Sequence, residues 1–417
     1  MKVRNYSLVT AGYWAFTLTD GALRMLVLLH FHELGFSPVS IAFLFLAYEF
    51  MGILTNLLGG WVGARTGLNR TLVIGLGMQV VALGALAFHR STWKEWVSVA
   101  FVMSAQALSG VAKDLTKMSS KSAVKALAGN GDGALFHLVA ILTGSKNALK
   151  GVGFFVGAVL LAWLGYSASL WTMAAMLMVV MVVLAVMLDE EIGKSKNKTP
   201  LRSILSKSES INRLSAARLF LFGSRDIWFV VALPVFLDER LGWSYYAIGA
   251  FLAMWVIFYG MVQSMAPRLL RRGGRRTDEI LAAQQWALAL ACVSGAIAFA
   301  VAVDVATTFA VIGGLVVFGV VFALNSSLHS FLILAYSDDD AISMDVGFYY
   351  SANAAGRLVG TLLSGVLYLW GGLSAALWGS ALFVALTWLL TLRLPALPTS
   401  NSEDVSKLQV RAALASE

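Results

Sequence analysis

Cysteine is almost missing from this chain. Cys292 is the single one among 417 residues, which excludes an internal disulfide and any multi-thiolate site for a soft metal. Histidine is scarce as well, with five scattered residues and no ligand spacing such as HxxxH. There is no Walker A sequence, so ATP hydrolysis on this chain is not expected, and no cofactor is called for. Charge is low: Asp, Glu, Lys and Arg make up 13% of the residues, against 59% hydrophobic, and the mean hydropathy is +0.77. A soluble protein of this size needs more charge to cover its surface.

What is present is a series of long apolar runs, and a bilayer-spanning helix needs about 20 mostly apolar residues. Twelve spans are expected, at 6–31, 38–62, 70–89, 96–112, 135–163, 167–188, 213–237, 244–267, 279–303, 306–333, 345–369 and 373–393. No cleavable signal peptide is expected at the start. The first apolar segment is too long, carries Asp20 and Arg24, and lacks a small-residue cleavage site.

The net charge of +8 would also suit a nucleic-acid binder, but its placement speaks against one. With the N-terminus in the cytoplasm, 22 of the 31 Lys and Arg residues fall on inside segments. These are Lys2 and Arg4, Arg65 and Arg70, Lys113, Lys117, Lys121 and Lys125, six from Lys194 to Arg213, five from Arg268 to Arg276, and Arg393, Lys407 and Arg411. The outside loops hold Arg90, Lys94 and Arg240. This is the positive-inside pattern, and it puts a multi-pass protein in a bacterial inner (cytoplasmic) membrane with both termini cytoplasmic.

The stretch 189–212 is polar and basic, and it is the only long break between apolar segments. It reads as a cytoplasmic linker between an N-terminal half, 1–188, and a C-terminal half, 213–394, with a cytoplasmic tail at 395–417. The halves match at a fixed offset. LGFS at 34–37 corresponds to LGWS at 241–244, and Ile41, Lys150, Gly153 and Trp171 correspond to Ile248, Arg357, Gly360 and Trp378, all at 207 residues. Asp20 corresponds to Asp226 at 206. Several matches at one offset indicate a parallel repeat.

Nine Asp, Glu, Lys and Arg residues lie inside the spans, apart from those at the terminal residues: Arg24, Lys146, Lys150, Arg218, Arg225 and Arg357 against Asp20, Glu49 and Asp226. Each costs roughly 2.5–3.5 kcal/mol at a helix centre on insertion scales, so they must face one another or a wet cavity. Six cations against three anions leave buried positive charge that water, a counter-charge or a substrate anion must compensate. Lys146 and Lys150 stand at i and i+4, and Arg218 and Arg225 at i and i+7, each pair on one helix face. Arginine suits forked contact with phosphate or arsenate oxygens. The two clusters lie in opposite halves, so a substrate anionic at both ends would bridge them.

Bland readings stand beside these. Asp20 and Arg24 either pair within their helix or meet a substrate. Asp20, Glu49 and Asp226 carry protons or serve as permanent counter-ions. Arg225 and Asp226 are adjacent and cannot both face a cavity fully. Lys113, Lys117 and Lys121 read first as snorkelling to lipid phosphates. Asn147, Asn325, Asn353 and His329 read first as helix–helix hydrogen bonders, with substrate contact second. Lys150 and Arg357 are the strongest functional candidates, because both halves keep a cation there.

The two-half organisation resembles the major facilitator superfamily. Residues 60–70 (GWVGARTGLNR) resemble its loop signature G-x-x-x-D-R-x-G-x-R-R, with departures at Ala64 and Asn69. The resemblance implies an all-α transmembrane fold of twelve helices in two six-helix halves, with a cavity lined by helices that include those carrying the nine charges. At finer grain, NYSLVTAGYWAFTLTDGALRMLVLLHFHELG (5–35), QALSGVAKDLTKMSSKSAVK (106–125), LTGSKNALKGVGFF (142–155) and SAARLFLFGSRDIWFVVALPVF (215–236) look like the organoarsenical efflux permeases of the ArsJ type. That resemblance implies export of 1-arseno-3-phosphoglycerate by alternating access, with glyceraldehyde-3-phosphate dehydrogenase as functional partner. The substrate contacts expected from the polar and charged groups at membrane depth are Arg24, Lys146, Lys150, Arg218, Arg225, Asn353 and Arg357. An organophosphate or sugar-phosphate antiporter is the runner-up. An anion-binding sensor comes third, since no cytoplasmic segment is long enough for a signalling domain.

Overall fold

The computed structural model describes residues 2–66, 68–128, 132–188, 208–270, 279–305, 307–337 and 342–396. The expected linker, apart from its last residues, the expected tail beyond Ala396 and the loop signature up to Asn69 lie outside the residues whose side chains are described, as do Lys121, Lys125 and the basic run around Arg268–Arg276. Every regular element among the described residues is a helix: α1 Lys2–Glu33, α2 Pro38–Thr66, α3 Leu68–Ala87, α4 Glu95–Ala128, α5 Asp132–Met187, α6 Glu209–Phe229, α7 Ala232–Glu239, α8 Tyr245–Leu270, α9 Glu279–Ala302, α10 Thr307–Tyr336 and α11 Ile342–Thr391.

Nine segments among the described residues are long and apolar enough to cross a membrane. Two of these, Lys146–Met187 with 42 residues and Asp345–Thr391 with 47, are about twice the length a bilayer requires. Each turns once. In α5 the turn is at Gly165, with φ 74°; in α11 it is at Gly371 and Gly372, the latter with φ 64°. A positive φ is strained for residues with a Cβ and free for glycine, so these glycines let one helix end and the next begin without a loop. The expected span 6–31 is not among the nine. Its Thr10, Thr17, Thr19 and Asp20 are buried in the protein, so polarity is kept away from lipid. The expected span 213–237 is broken between α6 and α7. Pro234 accounts for the break, because its ring collides with the carbonyl four residues earlier, and Ser364 Oγ accepts the freed amides of Val231 and Ala232 at 3.2 and 3.0 Å.

The chain divides into two compact units. One comprises Met1–Phe36, Phe43–Pro200 and Trp243–Ile257; the other comprises Ser37–Ala42, Leu201–Gly242 and Phe258–Glu417. In the first, α1 packs on α5 through glycines: a Cβ on Gly157 would stand 2.3 Å from the Ala22 carbonyl oxygen, and one on Gly153 2.5 Å from that of Leu18. In the second, α6 packs on α11 in the same way, with Gly356 against the Leu219 carbonyl and Gly360 against that of Gly223. Small residues allow this close backbone approach where no hydrophobic force draws helices together.

The units repeat one another in detail. Trp171 lies against Gly84 in the first and Trp378 against Gly295 in the second. Ser167 donates to the Ala87 carbonyl at 3.0 Å, and Ser374 to that of Ala298 at 2.9 Å. Gly35 and Gly242 both have positive φ, as do Gly165 and Gly372. Each of these pairs across units is separated by 207 residues, except the α3 and α9 partners, which are separated by 211.

Candidate functional site

In the first unit the charges converge from three helices. Arg24 of α1 donates from Nη2 to Glu49 Oε1 of α2 at 2.6 Å, with the Glu49 side chain fully buried. Asp20, one turn earlier, accepts the Tyr48 hydroxyl at 2.6 Å. The Arg24 guanidinium also stands over the rings of Phe45 and Tyr48, at 5.3 and 5.4 Å. Lys113 of α4 places its ammonium 4.1 Å from the Tyr48 ring centroid. Cation–π contact partly replaces lost hydration, so Tyr48 joins one carboxylate and two cations. Lys113 therefore points inward to this group, in contrast to the expected snorkelling. On α5, Lys146 and Lys150 are half-buried. Lys150 has its ammonium 5.9 Å from the Phe154 ring and its carbonyl against Gly21 of α1, next to Asp20.

In the second unit Asp226 of α6 is the hub. It is buried, and its Oδ1 accepts Nε and Nη2 of the adjacent Arg225 at 2.7 and 2.5 Å. Its Oδ2 accepts Nε of Arg357 from α11 at 3.2 Å. The side chains of Arg225 and Arg357 are 17% and 18% exposed. Adjacency thus did not force Arg225 and Asp226 apart, since the long arginine folds back onto its neighbour. Asn353 precedes Arg357 by one helical turn, and its Oδ1 is buried with no hydrogen-bond partner among the described residues.

Arg218 is set differently. Its side chain is 1% exposed, and Nη1 donates to the Ser326 carbonyl and hydroxyl of α10, both at 3.1 Å. Its guanidinium lies over Phe222 at 3.9 Å and over Tyr349 at 4.9 Å. Phe222 also lies under Arg225 at 5.3 Å, so one ring carries two guanidinium groups of α6.

A sequence profile of the Major Facilitator Superfamily matches residues 9–283. The chain belongs to this superfamily. As such it is a multi-pass membrane transport protein, and its helices take the superfamily's fold. Solved transporter structures align over nearly its whole length. A bacterial homologue of the iron transporter ferroportin, in an inward-facing state, is 18% identical with a TM-score of 0.69, covering 94% of this chain and 98% of that one. A POT family transporter in complex with a thioalcohol-conjugated peptide is 11% identical with a TM-score of 0.74, covering 93% and 96%. A D323A mutant of the nucleoside transporter NupG is 15% identical with a TM-score of 0.69, covering 93% and 98%. At these identities the likeness speaks for the fold alone. Comparison with curated proteins gives no match.

Sequence reasoning left two buried carboxylates of this transporter uncounted, and one of them, Asp345, stands at the first residue of the expected eleventh span and is 4% exposed. The other, Asp114 of α4, is 2% exposed and accepts the Thr55 hydroxyl of α2. The expected fourth span stopped at 112, whereas the apolar stretch of α4 runs over Glu95–Lys117. A longer span would have counted Asp114 among the intramembrane charges.

Proposed function

We propose that this superfamily member is an efflux permease for 1-arseno-3-phosphoglycerate, conferring arsenate resistance by alternating access. Twelve crossings in two six-helix halves follow if α1 joins the nine apolar segments and the two long ones count twice. The linker and tail, with both termini, lie in the cytoplasm of a bacterial inner membrane. The observation that carries the reading is an excess of cations in each unit. Arg24, Lys113, Lys146 and Lys150 stand with Asp20, Glu49 and Asp114 in the first; Arg218, Arg225 and Arg357 stand with Asp226 and Asp345 in the second. A substrate with an anionic group at each end matches two such clusters in number and sign. The resemblance to organoarsenical permeases supplies the arsenic. Pentavalent arsenic is an oxyanion that asks for arginine and lysine, and a chain with one cysteine is poor in the thiolates that trivalent arsenic favours.

Everted vesicles test this. Radiolabelled arsenate is supplied with and without glyceraldehyde-3-phosphate dehydrogenase, its nicotinamide cofactor and glyceraldehyde-3-phosphate. Accumulation is expected only with the enzyme, because free arsenate engages one cluster and leaves the other uncompensated. Uptake of bare arsenate would recast the protein as a direct arsenate carrier. Equal uptake of glycerol phosphate would favour an organophosphate antiporter.

A further inference from the structure

Arg218 is charged at every pH of interest, and its cation has no carboxylate among the described residues. Neutral partners hold it: the Ser326 carbonyl and hydroxyl, and two aromatic faces. Its Nε is buried with no hydrogen-bond partner among the described residues. The Ser326 carbonyl is also shared, since it accepts the Ser330 hydroxyl at 2.9 Å. His329 lies one turn along α10 from Ser326. It is 0% exposed, within electrostatic reach of Arg218, and neither ring nitrogen has a hydrogen-bond partner among the described residues. Two independent side chains, from α6 and α10, thus bring unused polar atoms to one buried place. Cation–π contact offsets only part of the cost of burying an uncompensated charge. The local partners leave the charge short of compensation, which an anion would supply.

We propose that Arg218 and His329 form a buried subsite for a phosphate-like oxyanion, with Phe222 and Tyr349 as its walls. This rests on the export reading for what the oxyanion belongs to, namely the phosphate or arsenate end of the substrate. A tetrahedral oxyanion suits the donors, since it offers several acceptor oxygens to a guanidinium. Neutral imidazole presents one donor and one acceptor on diverging nitrogens, and a singly protonated oxyanion can meet whichever of them faces Arg218; chloride can meet only the donor.

The test uses the full chain purified in mild detergent, with glycerol 3-phosphate and inorganic phosphate as separate probes. Affinity is read by calorimetry and stability by melting. Glycerol 3-phosphate is expected to bind and raise the wild-type melting temperature. Arg218→Gln should weaken binding about tenfold to a hundredfold, the loss of a charge-assisted contact, and His329→Phe about tenfold. Ligand-free Arg218→Gln should melt no lower than wild type, because it removes an uncompensated charge. Preference for glycerol 3-phosphate assigns the subsite to a substrate's terminus, and preference for inorganic phosphate to the free ion. No shift of the wild type by either probe, or unchanged affinity in Arg218→Gln, overturns the proposal; so does a lowered ligand-free melting temperature with binding intact, which marks a structural arginine. If Arg218→Gln does not fold, Arg218→Lys and His329→Phe decide: a loss of affinity in either supports the subsite, and wild-type affinity in both overturns it. Failure of vesicle export with binding intact would sink the export reading and leave the subsite standing.

Discussion

Asp226→Asn removes the carboxylate that Arg225 and Arg357 share in the second unit, and the cost can be worked from the geometry. The side chain is isosteric, so packing is preserved and the change is electrostatic. Three charged contacts, at 2.5, 2.7 and 3.2 Å, lose their acceptor charge. Breaking a buried pair by deleting one partner costs about 3–5 kcal/mol, because the other charge stays buried. Arg357→Gln should cost less, about 1.5–3 kcal/mol, the worth of a charged hydrogen bond, since Asp226 keeps Arg225. The double variant should cost less than the sum by about 0.5–3 kcal/mol, the range seen for residues in one network. Chemical unfolding in mild detergent measures all four states of the cycle. Trp228, fully buried two residues beyond Asp226, supplies the fluorescence signal. A cost for Asp226→Asn below about 1 kcal/mol, the range of exposed pairs, would refute the reasoning, and so would strict additivity in the double variant.

Other outcomes are equally definite. Lys150→Ala and Arg357→Ala should each abolish export in vesicles while leaving membrane insertion intact, and Arg357→Lys should be partly active, because a fork becomes a point charge; wild-type rates would make these residues structural. Gly356→Ala puts a Cβ 2.0 Å from the Leu219 carbonyl oxygen, so α6 and α11 must part, and melting should show a loss of at least about 1–3 kcal/mol. Gly313→Ala meets nothing within 4 Å and should be neutral or gain about 0.5–1 kcal/mol of helix propensity. His89, beyond the end of α3, has its pKa pushed below 6.5 by burial. The unfolded chain then takes up the proton first, so stability should fall as pH drops below about 6.5. His89→Gln should flatten that fall in melting scans between pH 8 and 5, and an unchanged slope would remove His89 as its cause.

The repeat was legible because it is written in single residues. Glycines at one offset became turns of positive φ, and Trp171 and Trp378 found equivalent glycines. The depth of the charges was legible too, since Asp20, Glu49, Arg218 and Asp226 are all buried. Their pairing was not. Asp20 and Arg24 share a helix face, yet Asp20 meets Tyr48 and Arg24 meets Glu49, because the choice depends on how closely α2 crosses α1. Arg218 and Arg225 also share a face, yet one is sealed and the other open. Helical period fixes direction around an axis, but the neighbour at each height comes from tertiary packing. The boundary of α4 hid Asp114 because the expected span was closed at 112, whereas the apolar stretch runs on to Lys117.

The carboxylates bear on how transport is driven. Asp20 is held by Tyr48, Glu49 by Arg24, and Asp226 by two arginines. A carboxylate that holds a buried guanidinium cannot take up a proton without stranding that cation, at a cost of several kcal/mol. This favours Glu49 and Asp226 as counter-ions over proton carriers, and Tyr48 makes the same case more weakly for Asp20. An exporter of a multiply charged anion has no need of a coupling proton. Each negative charge leaving a cell with a negative interior is driven by about 2.3 kcal/mol per 100 mV, so two such charges supply about 4.6 kcal/mol. On the export reading, the surplus of cations does two things at once: it recognises the anion, and it leaves the loaded complex largely neutral while the returning empty carrier remains positive. The potential then acts on the return step, drawing the emptied positive site back toward the negative interior.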